Sequence, residues 1–544
     1  MRALAGRLWP WLPLVFAAAY SIALLADLRT LVQSIYQQPD FASGPYIAEL
    51  QPDAPAGAEV VLTNFTWYTT LWFEQLTHGL PAHRQIWQVG PWIASLLGVG
   101  LLGWSVWRAA GGWAATMTVV VLACAGSGML LVQVPGTGHA AAYLHVSLLG
   151  AFLVLLAGRR SGRIGGPAAH GAACAAVAAI TAAGYASDTL LLVAGIVPFA
   201  LAGLLLARQL AAPAGRRIAG TAVLVAVGAT LGGLAIREVM EARHVVASHF
   251  EIAFAGFDAL ATNFRLLVHS IAYLGNGDFG GMSIDGAGLL ALACAATIGA
   301  AAVAVARHAR GWWNANANAA WRPAALAPGA PEARRTAHVT FWLLSVLIVV
   351  PVFVLSSLPV DRYSSRYVVT VAYGLAALTP VMAAARGPAA RALVVVGACL
   401  IVGASVRGLL AHDLQDGLSR SFPTGSQSGP LLRLARSENL TYGYAGYWVA
   451  APLSWQMKTE VQLYPVYPCP GDPARLCRWG QHQISSWYTP RPGTRTMLVV
   501  DPALPMDGPR EAPAVLGRPE RTVKVNRLDV YIYPYDIASR MGRD

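Results

Sequence analysis

Charged residues are scarce in this chain. Of its 544 residues only 12% are Asp, Glu, Lys or Arg, whereas 56% are hydrophobic. A soluble globular domain carries about 25% charged residues. This deficit, together with apolar runs of about 20 residues, excludes an ordinary soluble globule. The composition therefore predicts a polytopic α-helical membrane protein.

Eleven apolar runs are candidate transmembrane helices: 9–26, 91–107, 113–133, 140–158, 168–186, 188–207, 218–236, 286–306, 338–358, 368–385 and 392–408. Arginines flank these runs at alternating connections. Because arginine-rich connections stay in the cytoplasm, the pattern predicts a cytoplasmic N-terminus and an extracytoplasmic tail in a bacterial plasma (inner) membrane. The formal charge of +12 is then a topological signal, and we expect no nucleic-acid partner. The first run could instead be a cleaved signal peptide.

Two domains follow from this topology. Residues 1–408 form the predicted transmembrane domain, with large extracytoplasmic loops at 27–90 and 237–285. Residues 409–544 form a small extracytoplasmic α/β domain, because strand-like segments beginning at Glu460, Thr496 and Leu528 alternate with Pro/Gly turns. The Asn/Ala/Pro-rich stretch 311–333 is predicted to be a flexible cytoplasmic linker.

Cysteine is too rare to build a zinc site from two Cys pairs. Four of the six cysteines lie within predicted spans, and we interpret them as small packing residues. Cys469 and Cys477 lie in the tail, on either side of a Pro/Gly turn. In an oxidising compartment this spacing favours a disulfide over two free thiols or half of a metal site.

The loop after the first run carries an acidic motif. Asp40 opens a short predicted helix, in which Ile47, Ala48 and Leu50 make an apolar side that could lie on the membrane surface. A carboxylate at the outer boundary of the membrane could take a proton from an acceptor hydroxyl. Alternatively, Asp40 only caps a helix after Pro39.

Two further motifs fall on the same predicted side. Asp188 stands at the outer start of the sixth span, where it could cap that helix and also serve a site. Arg362 and Arg366, the latter followed by Tyr367, precede the tenth span and defy the positive-inside preference. Such arginines could bind a lipid-linked phosphate in bidentate fashion or act as snorkelling interfacial anchors.

In their order along the chain, these motifs resemble the GT-C superfamily of membrane glycosyltransferases, particularly the branch of aminoarabinose transferases and protein O-mannosyltransferases. In that branch an acidic residue follows the first span, a Leu-Asp-x-x-Leu element opens a later span, and an Arg-Tyr pair precedes another. Asp40, Asp188 and Arg366-Tyr367 match these elements. The chain departs at Phe41, where the family often has a second acid, and it lacks the Pro that usually follows the Arg-Tyr pair.

The resemblance implies an inverting glycosyltransferase that moves a sugar from a polyprenyl-phosphate donor to a glycan, lipid or protein acceptor. Membrane lipids would surround the protein. Asp40 would be the general base and Asp188 would orient substrate or assist the base. Arg362, Arg366 and Tyr367 would bind the donor phosphate. The chain has no Gly-rich phosphate loop or nucleotide-binding fingerprint, which agrees with a lipid-linked donor.

Four other side chains are candidates for lining the substrate cavity: Glu49, His139, Tyr143 and His145. A single His-x5-His pair without paired carboxylates predicts no protein-held metal. Asp40 and Asp188 could nevertheless share a divalent ion (Mg or Mn) with substrate phosphate, as some relatives do. The aromatic run 442–448 offers faces suited to sugars, or it is a packing cluster.

Two other functions remain open at this point. A membrane transporter or lipid flippase would need polar residues and broken helices at mid-membrane. A non-catalytic envelope scaffold would leave Asp40, Asp188 and Arg366 on separate surfaces.

Overall fold

A computed structural model describes most of the chain: residues 12–35, 39–63, 72–73, 75–77, 80, 83–134, 139–248, 252–279, 282, 285–318, 326–411, 425–470, 472–504 and 516–542. The fold is mainly helical, and a mixed sheet forms near the C-terminus.

The helices of the N-terminal part are α1 (Leu12–Ile35), α2 (Pro39–Leu50), α3 (His83–Ala110), α4 (Gly112–Ala123), α5 (Ser127–Gln133), α6 (Ala140–Ala157), α7 (Pro167–Ser187), α8 (Val197–Gln209), α9 (Ala214–Glu241), α10 (Phe257–Leu274), α11 (Gly286–Asn318), α12 (Pro331–Leu355), α13 (Val369–Arg386) and α14 (Pro388–Leu410). A π-helical turn, Leu192–Ile196, leads directly into α8. A 3-10 turn, Arg362–Val368, leads into α13.

Within the described residues, eight helices are long and apolar enough to cross a membrane, and a ninth span is possible if α4 and α5 count as one. The predicted count of eleven is therefore not confirmed, although an apolar helix lies at each predicted span. The apolar segments Leu12–Ala26 of α1 and Ala142–Ala157 of α6 are further candidates, and α4 and α5 meet at an angle of 86°. Hydropathy located the helices but did not reveal the bend between α4 and α5.

One end of the bundle gathers the arginine-rich connections. The connections 158–166, 208–217, 307–335 and 386–391 contain a single acidic residue, Glu332. The first three contact one another through the pairing of Leu210 with Leu326, a 3.0 Å bond from the Gly329 amide to the carbonyl of Ala157 at the end of α6 and a 3.3 Å bond from Arg217 to the Ser161 carbonyl. We call this face the basic end.

The opposite end gathers the connections that were predicted to be extracytoplasmic. A three-stranded sheet joins β1 (Val60–Thr63), β2 (Val245–Ser248) and β6 (Gln483–Ile484) in the order β2-β1-β6. These strands come from the first loop, the loop after α9 and the tail. Three segments that were predicted to share a compartment therefore share a sheet, and we call this face the site end.

The C-terminal domain is built on a six-stranded mixed sheet of order β5-β4-β3-β7-β9-β8. Its strands are β3 (Tyr442–Gly446), β4 (Gln462–Cys469), β5 (Asp472–Arg478), β7 (Thr496–Val500), β8 (Arg521–Val525) and β9 (Leu528–Tyr533), with helices α15 (Gly425–Ser437) and α16 (Tyr447–Gln456). The parallel neighbours β3 and β4 are joined through α16. All three strands predicted from sequence are present.

The predicted disulfide is also present. Cys469 and Cys477 bond across the antiparallel pair β4–β5. Of the four other cysteines, Cys124 and Cys294 are buried, as expected for packing residues, Cys174 is half-buried, and Cys399 is exposed.

Helix α2 docks the C-terminal domain onto the bundle. Ile47, Ala48 and Leu50 are buried in the main hydrophobic core, and α2 packs against α16. The Tyr46 hydroxyl donates to the Leu463 carbonyl at 3.2 Å. The apolar side of α2 therefore faces protein, so the predicted contact with the membrane surface is wrong. Local amphipathicity could not tell a lipid surface from a protein surface.

The predicted linker at 311–333 is largely helical where it is described. Helix α11 continues to Asn318, and α12 already begins at Pro331. Residues 319–325 lie outside the described part of the chain. The Asn/Ala composition that suggested flexibility also suits a helix, because alanine has the highest helix propensity.

Candidate active site at the site end

A buried imidazole–carboxylate pair occupies the start of α6. His139 Nδ1 lies 2.6 Å from Asp188 Oδ2, and both side chains are fully buried, at 0% and 1% exposure. The second oxygen, Asp188 Oδ1, accepts the Leu190 amide at 2.9 Å, so Asp188 also organises the turn between α7 and the π-helical turn. Both predicted roles of Asp188, helix organisation and membership of a site, are compatible with this geometry.

His139 holds an uncommon backbone conformation. Its φ angle is +65° at the residue that caps α6. A left-handed conformation at a residue other than glycine costs of order 1 kcal/mol and often occurs at functional sites. Here the conformation turns the chain into α6 at the point where the imidazole meets Asp188.

Arg366 and Tyr367 adjoin this pair. The Tyr367 ring centroid lies 5.4 Å from that of His139. The guanidinium of Arg366 lies 5.1 Å from the Tyr367 ring centroid, and its Nη2 donates to the Tyr367 hydroxyl at 3.2 Å. The Tyr143 hydroxyl donates to the Arg366 carbonyl at 2.8 Å. Four predicted site residues therefore form one continuous group with Asp188.

A second arginine at this end was missed by the sequence analysis. Arg237, near the end of α9, donates through Nε to the Ala186 carbonyl at 3.1 Å and through Nη2 to the Tyr185 carbonyl at 2.9 Å. It caps the last carbonyls of α7 beside Asp188, an arrangement favoured by the negative end of the helix dipole. The sequence could have identified Arg237, because this arginine breaks the positive-inside pattern just as Arg362 and Arg366 do.

His145 lies further along α6, packed closely on α7. A methyl group added at Gly184 would come within 2.8 Å of the His145 ring, so the glycine permits this contact. His145 is buried, and it serves as a packing contact between α6 and α7.

The other predicted residues lie elsewhere or cannot be placed. The Glu49 carboxylate accepts a 2.9 Å hydrogen bond from Thr459 of the C-terminal domain, which gives it a docking role. Asp40 lies in the first turn of α2 and Arg362 opens the 3-10 turn. The side chains of Asp40 and Arg362 lie outside the described part of the structure.

The described residues do not suit a metal ion at Asp188. Both carboxylate oxygens are engaged, one by His139 and one by the Leu190 amide, and the side chain is buried. In the described part of the chain no group of three or more His, Cys, Asp or Glu residues could hold a metal.

The aromatic run of the C-terminal domain is a packing cluster. Tyr442 and Tyr444 are buried and donate to the two oxygens of Asp536 at 3.0 and 2.9 Å. Burial, and then the neighbouring carboxylate, raise the pKa of both tyrosines well above the usual range. Arg491 covers the Tyr442 ring at 4.3 Å. The buried rings of Tyr442 and Tyr444 are not offered to a sugar, which favours the packing interpretation for this part of the run, whereas Trp448 is half-buried.

Comparison with known proteins gives structural similarity only. No family model and no curated protein matches the chain. The crystal structure of ArnT from Cupriavidus metallidurans in the apo state is similar with a TM-score of 0.46 and 15% identity, covering 96% of this chain and 98% of that chain. The structure of that protein bound to undecaprenyl phosphate gives a TM-score of 0.48 and 15% identity, covering 98% and 99%. Function must be argued from this chain's own residues.

Proposed function

We propose that the chain is an inverting glycosyltransferase that moves a sugar from a polyprenyl-phosphate donor to an acceptor at the outer face of a bacterial plasma membrane. One observation carries the proposal. Arg366, with Tyr367, stands beside the buried Asp188–His139 pair at the end of the bundle opposite the basic end. A cation for the leaving phosphate and an acid–imidazole pair are thus close together at one face of the bundle.

The orientation follows from charge. Connections rich in arginine stay in the cytoplasm, so the basic end is cytoplasmic. The site end and the C-terminal domain are then extracytoplasmic, where a disulfide between Cys469 and Cys477 persists.

The reaction needs one base and one cation. The acceptor hydroxyl oxygen attacks the anomeric carbon of the sugar, and the bond from that carbon to the phosphate oxygen breaks. The hydroxyl proton passes to Asp40, the general base. The polyprenyl phosphate leaves with its negative charge, which Arg366 and Arg362 stabilise by charge-assisted hydrogen bonds. No proton donor is required for this leaving group.

Asp188 assists through His139. The buried carboxylate holds the imidazole in one orientation beside Tyr367, and Tyr143 holds the backbone of Arg366. The pair thereby keeps Arg366, which binds the donor phosphate, aligned with the acceptor hydroxyl. Correct orientation of two reactants lowers a reaction barrier by several kcal/mol.

The experiment is lipid and glycan profiling of a deletion strain, complemented with variants. The deletion strain should lack one sugar modification, and the wild-type gene should restore it. Asp40→Asn should not restore it despite normal membrane expression, whereas Asp53→Asn, an exposed acid of the same loop, should. Full complementation by Asp40→Asn would remove Asp40 from the mechanism, and an unchanged profile in the deletion strain would count against the transferase.

A transporter or lipid flippase is the second candidate, and one observation favours it. The 86° bend between α4 and α5 is the kind of broken helix that transporters use. Sugar transfer by the purified chain in detergent, where no second compartment exists, would exclude transport as the primary activity. Absence of transfer, together with lipid movement in sealed vesicles, would favour the transporter.

A further inference from the structure

A large apolar cavity lies away from the candidate active site. Its volume is about 640 Å³, and its walls come mainly from α4, α11, α13 and α14. None of the predicted site residues lines it. The lining is dominated by small and aliphatic side chains, such as Met117, Ala300, Ala376 and Leu393.

The cavity is too apolar to hold water and too large to stay empty. An engineered apolar cavity of about 150 Å³ already admits a benzene molecule, and buried water needs two to four polar partners. Only 17% of the apolar window of α11 and of α14 is buried inside the bundle, so the cavity walls formed by these helices offer hydrocarbon chains an entry from the side. The size and lining of this space therefore suit a hydrocarbon chain.

The two polar ends of the cavity differ. At one end, the Asn276 amide is satisfied by the Ile401 carbonyl at 3.0 Å and the Ser405 hydroxyl at 2.8 Å. At the other end stands Arg386, at the end of α13 and on the basic end of the bundle. The Arg386 side chain is exposed. Among the described residues no carboxylate lies within ion-pair distance of it.

We propose that this cavity binds one acyl chain of an anionic phospholipid whose phosphate is held by Arg386. Basic pockets between membrane helices at the cytoplasmic side bind anionic headgroups, and the surrounding connections carry only one acid, Glu332. The donor phosphate of the proposed reaction belongs at Arg366, on the opposite end of the bundle. The phospholipid site is therefore separate from the donor site and does not depend on the proposed function.

Matched variants separate the headgroup from the chain. Arg386→Gln removes the cation, and Arg391→Gln is its control, because Arg391 already donates to the Ala384 carbonyl at 2.9 Å and covers the Trp113 ring. Ala300→Phe fills the cavity, and Ala306→Phe places the same side chain at an exposed position of α11 that does not line it.

The measurement uses the delipidated full chain in detergent, mixed with phosphatidylglycerol or phosphatidylcholine, with bound lipid counted by native mass spectrometry. The wild-type chain should prefer phosphatidylglycerol. Arg386→Gln should lower the retention of phosphatidylglycerol about fivefold, because one arginine near an anionic lipid surface contributes about 1 kcal/mol of binding free energy. Ala300→Phe should abolish retention of both lipids. Both control variants should match the wild type. Thermal midpoints without added lipid confirm that each variant is folded.

Four results would overturn the assignment. Equal retention by Arg386→Gln and wild type would remove the headgroup contact, and so would an equal loss in Arg391→Gln. Retention by a folded Ala300→Phe variant would remove the chain from the cavity. Displacement of phosphatidylglycerol by polyprenyl phosphate, sensitive to Arg366→Gln but not to Arg386→Gln, would assign the cavity to the donor.

Discussion

His139 and Asp188 are separated by 49 positions in the chain, yet their side chains meet at 2.6 Å in a fully buried contact. The pair ties the left-handed start of α6 to the turn after α7. Tyr367 packs on His139 and accepts a hydrogen bond from Arg366, so the pair is the structural centre of the candidate site.

The first prediction concerns this pair. Asp188→Asn keeps an acceptor for the Leu190 amide but removes the charge opposite His139. We expect sugar transfer to fall about 100-fold, because a misplacement of about 1 Å among aligned groups costs a factor of that order. His139→Gln should lose a similar factor, and the double variant should be no worse than either single one, because residues that act as a unit are not additive. Reconstituted transfer assays measure the three losses.

The exposed acid Asp258 at the start of α10 offers a control, and Asp258→Asn should retain wild-type activity. If the loss of activity in the double variant equalled the product of the two single losses, His139 and Asp188 would act independently, contrary to the orienting role.

The second prediction concerns the phosphate cation. Arg366→Lys keeps the charge but loses the planar group that packs on Tyr367 and can bind phosphate in bidentate fashion. Transfer kinetics should show a decrease of roughly 10- to 100-fold in kcat/KM for the donor. Arg407→Lys, at an exposed arginine near the same end of the bundle, should stay within about twofold. An Arg366→Lys enzyme as active as that control would place the donor phosphate elsewhere.

The third prediction concerns the disulfide. Cys469 and Cys477 are 8 positions apart, and closing a loop of that length stabilises a domain by about 2.5 kcal/mol in the chain-entropy description. Cys469→Ser should lower the thermal midpoint of the C-terminal domain, and a reducing agent should lower that of the wild type to a similar value. Cys399→Ser, at an exposed thiol, should leave the midpoint unchanged. Insensitivity of the wild type to reductant would contradict the role of the bond.

The fourth prediction concerns acid stability. A hydrogen bond from Arg495, reinforced by Arg521, holds the pKa of Glu438 below its usual value of 4.5. A carboxyl group whose pKa is lower in the folded state than in the unfolded state contributes stability above the unfolded value, and this stability is lost as pH falls through the folded value. Unfolding of the C-terminal domain should therefore become easier below about pH 4.5.

The Glu438 contribution can be isolated with two variants. Glu438→Gln should flatten the dependence of the thermal midpoint on pH in this acidic range. Glu460→Gln, which alters a more exposed pair with Arg436, should preserve it. Identical pH profiles for Glu438→Gln and the wild type would show that the Arg495 contact contributes nothing to folding.

Part of the candidate site could be predicted from sequence, because its residues lie at helix ends with unusual chemistry. Asp188 and Arg366 were found as charges beside apolar spans, and His139 and Tyr143 as polar groups near a span start. Arg237 was missed although it carries the same signal. Glu49 was assigned to the cavity, but Thr459, 410 positions away, holds its carboxylate in the docking contact.

The amino-acid sequence by itself determined where the apolar helices lie, which connections share an end of the bundle, and which cysteines pair, because hydropathy, arginine placement and short loop spacing are local properties. Only the tertiary structure decided that α4 and α5 bend, that α2 is buried under the C-terminal domain, and that Asp188 faces His139. These outcomes depend on contacts between residues that are distant in the chain. One example is the contact between Gly126 and Asn276, which is so close that any side chain at position 126 would collide with Asn276. Local periodicity carries no information about such partners.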